Sequence, residues 1–237
     1  MDDNGRYGRV LALAEFFRPS EILDEDEGAD ALLAQLVRAE AALGRERADA
    51  PTLCDELLAW PAERRREALE ADARFHTWGV CERLIQKALG HEEADPAEAG
   101  LLASLALAAA GRLDSGQHSG PMIEDLKARA WACLGQARRR EGDLARAEEA
   151  LREAAGCLAG GTGDLLVEAR LLEFEADVRG GQGRAGEAAS LLKQAASRYR
   201  EIGETELLAR VRLKRDHVLQ QSNAVPGRPH TAFRPNV

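Results

Sequence analysis

Four cysteines, five histidines and the arginine run at 64–66 are the residues with the widest chemical scope in this 237-residue chain. Cys54, Cys81, Cys133 and Cys157 form no C-x-x-C pair, which argues against a zinc ribbon or a redox motif. Each thiol sits in an apolar helical context that suits a small buried hydrophobe. His76 and Cys81 lie five residues apart, on different faces of a helix, while His91, His118, His217 and His230 have no clustered partner, so no metal site is expected. The sequence holds no G-x-S-x-G, no H-E-x-x-H and no glycine loop ending in Lys-Ser or Lys-Thr. The glycine-rich "GCLAGGTG" at 156–163 follows a helix and reads as a stop and connector. No catalytic residue and no cofactor is assigned, and the chain is read as a non-enzyme. Arg64, Arg65 and Arg66 have the look of a DNA-recognition helix, but Glu63, Glu67 and Glu70 stand at pairing distances and favour a solvated, salt-bridged face.

The elements that must carry these residues are helices. Aromatics make up only 4% of a chain dominated by Ala, Leu, Glu and Arg, a composition for helices packed by small and aliphatic side chains. The net charge of −9 gives no general attraction for a phosphate backbone, so nucleic acid is not an expected partner. The longest apolar run, "LLASLALAAAG" from Leu101, is too short to span a bilayer, and "MDDNGRYGRV" has no signal-peptide pattern. A cytoplasmic location without membrane contact is expected. Apolar spacing predicts a helix over 6–17, an acidic connector over 20–28, a helix over 29–44 that Gly44 ends, a further helical stretch opening at Pro51, and another from Pro61 to Leu69. From Phe75 the pattern turns into helix pairs, with Asp95 and Pro96 as N-cap and first-turn residue between the first two. The expected organisation is an N-terminal helical region over 1–72, a repeat array over 73–221 and an irregular proline-containing tail over 222–237.

"ARAWACLGQARRREGDLARAEEALREAA", residues 128–155, explains the small residues. Trp131, Leu134 and Gly135 share one helix, Gly142 and Asp143 form a turn, and Ala147, Leu151 and Ala154 share the next. Two antiparallel helices approach closely only where side chains are small, so Gly135 and Ala147 form the crossing while Trp131, Leu134 and Leu151 fill its flanks. This arrangement resembles the tetratricopeptide repeat, with Arg138, Leu151 and Ala159 standing where that family prefers Tyr, an aromatic and Pro. A shift of 41 residues maps Trp131 to Leu172, Gly135 to Ala176, Gly142 to Gly183, Ala147 to Ala188, Leu151 to Leu192 and Ala154 to Ala195, and a second shift lands on Leu213. Backwards, Ala99 matches Ala147, although the helix before it aligns ambiguously between Trp78 and Arg83.

The resemblance implies an all-α fold, an α-α superhelix of antiparallel pairs in a tetratricopeptide-like right-handed solenoid, with an N-terminal helical extension. It also implies a concave groove lined by first helices, and its ligand positions fall on Arg129, Gln136, Arg139, Arg140, Arg170, Glu173, Asp177 and Lys214. The arginines suit carboxylates, so the implied role is a bacterial protein-interaction scaffold or adaptor that takes an acidic segment of a protein partner. Family members that bind chaperone tails have Asn where this chain has Gln136 and Asp177, which disfavours that ligand. The alternative role is the sensing arm of a bacterial transcriptional or defence-type regulator, with residues 1–72 or another chain as output. The unfinished last unit predicts an exposed apolar face that could join copies of the chain into a homo-oligomer.

Overall fold

The structure is a computed structural model that describes residues 25–224, with side chains over 33–221. Among the described residues the chain is all-helical: nine α-helices, a 3-10 turn at Ala73–Phe75 and no strand. The helices are α1 (Glu25–Leu58), α2 (Ala62–Ala71), α3 (Trp78–His91), α4 (Pro96–Ala110), α5 (Gly120–Arg140), α6 (Leu144–Ala159), α7 (Leu165–Gly181), α8 (Ala185–Glu201) and α9 (Thr205–Ala224). The helix expected over 6–17 and the tail over 225–237 lie outside the described residues, whereas 222–224 continue α9 rather than beginning the tail. No described helix is long and apolar enough to cross a membrane.

The starts follow the sequence signals. Thr77 accepts the Val80 N–H, Asp95 the Glu98 N–H, Asp143 the Arg146 N–H and Asp164 the Leu166 N–H, each relieving an orphan donor of a first turn. Gly142 and Gly183 have φ of 85° and 75°, so the two equivalent turns share one left-handed conformation. The expectations for the first described helix fail: residues 25–28, expected to be part of an acidic connector, already belong to α1, because the alanine- and leucine-rich stretch that follows carries the helix back through them. Gly44 does not end a helix, and Pro51 lies inside a single 34-residue α1. A Cβ on Gly44 would meet nothing within 4 Å, and the bond Pro51 cannot donate is one lost from a helix whose C-terminal half is held by tertiary packing, with Ala50, Cys54 and Leu57 buried.

Each helix from α3 onward packs on its successor, and α1, α3, α5 and α7 also pack on one another in that order. The crossing read from the sequence is present: a Cβ on Gly135 would lie 3.2 Å from both the Ala147 carbonyl oxygen and Leu151 Cγ. Ala147 and Ala154 are fully buried, and the half-buried Trp131 packs against their cluster with Leu151 and Val178. The counterparts Ala176, Ala188, Leu192 and Ala195 form the next cluster with Tyr199 and Val211. A larger cluster joins α1 to α5 through Leu57, Leu69, Leu84, Leu102, Leu105 and Leu126.

The 41-residue shift does not reach α9. Leu213, its predicted packing position, is 72% exposed, and Val211 fills the buried place instead. Partner spacing shows why: α7 and α9 meet through Glu173–Arg210 and Asp177–Lys214, both 37 residues apart, against 41 for Gln136–Asp177. With Leu219 also exposed, α9 presents apolar side chains that no described helix covers.

Candidate functional site

Stacking α1, α3, α5 and α7 brings one arginine from each to a shared hollow. Arg47, Arg83, Arg129 and Arg170 line an open concavity of about 500 Å³ together with Glu82, Gln86, Asp164 and the Pro51 and Val167 side chains. Its width depends on how closely α1 approaches α3. A Cβ on Gly79 would lie 2.2 Å from the Glu46 carbonyl oxygen, so only glycine permits this contact. Glu46 then reaches across to accept the Trp78 N–H at 2.6 Å, placing a carboxylate at the N-terminus of α3, and its other oxygen meets His118 Nε2 at 3.0 Å.

The arginines are not equivalent. Arg47 grips Glu82 through two bonds of 2.7 and 3.0 Å, and Arg129 lies 3.7 Å from the same carboxylate. Burial works to raise the Glu82 carboxyl, but the Arg47 hydrogen bond, with the Arg47 and Arg129 charges behind it, draws it below the ordinary glutamate value. Among the described residues Arg83 reaches only Gln86, at 3.5 Å, and its Nε is buried with no hydrogen-bond partner. An unsatisfied buried donor costs about 1–3 kcal/mol. Arg170 is exposed and makes no ion pair among the described residues. Arg129, Arg170 and Val167 also border a narrow apolar cleft lined by Ile85, Leu89, Leu171 and Phe174.

Of the eight sequence-predicted residues, then, Arg129 and Arg170 meet in the concavity. Gln136, Arg139, Glu173, Asp177 and Lys214 meet elsewhere, in a polar seam that joins α5, α7 and α9. Gln136 donates to Asp177 at 3.1 Å, Lys214 donates to Asp177 at 2.8 Å, and Arg139 donates to the Gln136 side-chain oxygen at 2.7 Å. Glu173, only 4% exposed, accepts from Tyr199 of α8 and from Arg210. Burial, followed by the Glu173 bond, pushes the Tyr199 hydroxyl up. The seam residues bond to one another within the chain, with Arg139 and Arg210 each using one nitrogen of the guanidinium. Arg140 stands apart, paired with Glu92 and Glu93 beyond the end of α3.

Arg47 and Arg83 were not among the predicted residues. Arg47 falls in the stretch read as a break between Gly44 and Pro51, and Arg83 lies in the helix whose alignment was ambiguous. A usable signal existed in the presence of an arginine on each of α1, α3, α5 and α7, though at uneven spacing and only once α1 is one helix.

The other chemistry-bearing residues are accounted for structurally. All four cysteines are free; burial pushes Cys54 and Cys157 up to about 11 and Cys133 up to about 12, and raises Cys81 further, so each stays a thiol. Arg64 pairs with Glu67, Arg66 with Glu70, and Arg65 with Glu98 of α4. Among the described residues, no group of three or more His, Cys, Asp or Glu is arranged to hold a metal ion. No protein-family model, curated protein or solved structure matches the chain, and its functional reading rests on this geometry.

Proposed function

We propose that the chain is a non-catalytic interaction scaffold of the cytoplasm. In this reading its helix pairs form a tetratricopeptide-like right-handed superhelix, and the first helices line a groove for an acidic segment of a protein partner. One observation carries the proposal: four first helices each deliver an arginine to one concavity in a chain whose net charge is −9. A positive hollow on a negative molecule gives a site where an acidic segment is attracted and orientated, while the rest of the surface repels it. The neighbouring apolar cleft of Ile85, Leu89 and Phe174, about 30 Å³, would take no more than a small apolar group of the same segment.

The test is fluorescence anisotropy with labelled glutamate-rich peptides that carry an apolar residue at each position in turn. The wild-type chain is expected to bind, more weakly as salt rises, and Arg129→Glu with Arg170→Glu is expected to lower affinity at least ~10-fold, the loss of a pair of charge-assisted contacts. Equal affinity of wild type and the charge-reversed variant would remove the groove from the mechanism.

A further inference from the structure

The concavity between α1 and α7 is lined by four guanidiniums and two carboxylates, an excess of two positive charges. Its carboxylates are already engaged. Glu82 is held in a two-bond grip by Arg47, and Asp164 accepts the Leu166 and Val167 N–H groups as the cap of α7. The positive charge that remains is therefore carried by Arg83, Arg129 and Arg170, on three different helices. Arg83 keeps a buried Nε without a partner, and Arg170 makes no ion pair among the described residues. Because Asp164 occupies the first amides of α7, recognition of an anion here falls to side chains rather than to the helix end.

We propose that this concavity binds a phosphomonoester dianion, presented as a phosphorylated side chain on the acidic partner segment. The inference rests on the groove reading given above and narrows its ligand. A carboxylate has two oxygens and is filled by one forked arginine, as Glu82 is by Arg47. A phosphomonoester carries a charge of roughly −1.5 to −2 at pH 7 and three acceptor oxygens, so it can engage guanidiniums from several helices at once. That valence matches an excess of two charges spread over three arginines. A hollow of about 500 Å³ accommodates such a group with its flanking residues.

The experiment uses the full chain, immobilised, and three synthetic degenerate peptide libraries with a fixed central phosphoserine, serine or glutamate, together with inorganic phosphate and adenosine monophosphate as small sources of the same group. Retention of the phosphoserine library at least ~10-fold above the glutamate library is expected, falling at least ~10-fold in Arg170→Glu and in Arg83→Gln. Arg170 is exposed, so its replacement leaves the fold intact, which a thermal melt verifies. Retention of the phosphoserine library should also rise from about pH 5.5 to about 7.5 as the second phosphate proton leaves. The charged lining, Arg47, Glu82, Arg83, Arg129, Asp164 and Arg170, contains no histidine that would titrate with it. Binding of inorganic phosphate or the nucleotide without the library would support the phosphate site but overturn its presentation on a peptide. Equal retention of the glutamate and phosphoserine libraries would overturn the phosphate proposal and leave the acidic-segment reading standing. Retention of neither library, with no binding of the small phosphates, would overturn both.

Discussion

At the scale of single residues, Glu82 decides how the arginine hollow is charged. It lies at the meeting of α1, α3 and α5, and it neutralises Arg47 while leaving Arg83 and Arg170 unmatched. Because its folded-state carboxyl sits below the unfolded value of about 4.5, it contributes stability that is present above that pH and is lost as pH falls through the depressed value. Arg47→Met removes the main opposing charge and leaves burial in control. The Glu82 midpoint, followed by carbon-13 NMR of the carboxyl, is expected below the ordinary value in the wild type and above it in the variant, with acid unfolding of the variant starting at higher pH. A midpoint that Arg47→Met leaves unmoved would mean the pair does not hold Glu82. Neither partner was legible as a site residue in the sequence, since nothing in the local spacing reveals that Arg47 and Glu82, 35 residues apart, will meet.

At the scale of helices, close approach is what the sequence announced best. Gly135 against Ala147 was readable because both small residues lie in one hairpin, where the spacing across the turn fixes their meeting. Gly79 against Glu46 was not, because the partner belongs to a helix whose course was misread at Gly44 and Pro51. Gly79→Ala would drive a methyl into the α1 backbone, and overpacking of this kind costs about 1–3 kcal/mol. Urea denaturation should register that loss, and an unchanged midpoint would contradict the contact. The register of α9 gives a second check. Val211 is fully buried and Leu213 is 72% exposed, so Val211→Ala should destabilise by roughly 1–3 kcal/mol while Leu213→Ala should stay within about 0.5 kcal/mol. The reverse ranking would restore the constant 41-residue spacing. Sequence periodicity missed this shift because Val211 and Leu213 are both apolar, and only the ion pairs of α9 with Glu173 and Asp177 distinguish them.

At the scale of the molecule, two separate bodies of polar contact run along the first helices. The seam of Gln136, Asp177, Lys214, Glu173, Tyr199 and Arg210 satisfies its own groups and ties α5, α7, α8 and α9 together. The hollow of Arg83, Arg129 and Arg170 leaves donors and charge unsatisfied. The proposed scaffold role would need both: a binding surface is preformed only if the helices that present it are held in register, and it binds only if it keeps polar groups in reserve. The helix pairs and their close Gly135–Ala147 crossing could be read from residues 128–155 and their echo, because they depend on contacts within a hairpin. The division of the predicted groove residues into a seam and a hollow depends on contacts between hairpins, and the spacing of one repeat does not encode those.

Guanidinium NMR of the full chain, titrated with a peptide that contains acidic and apolar residues, reads the hollow most directly. Binding in the groove predicts that the Nε–Hε signals of Arg83, Arg129 and Arg170 shift together and saturate at one affinity, while those of Arg64 and Arg66 on α2 stay in place. Shifts confined to α2, or saturable binding that leaves the three hollow arginines unmoved, would contradict it.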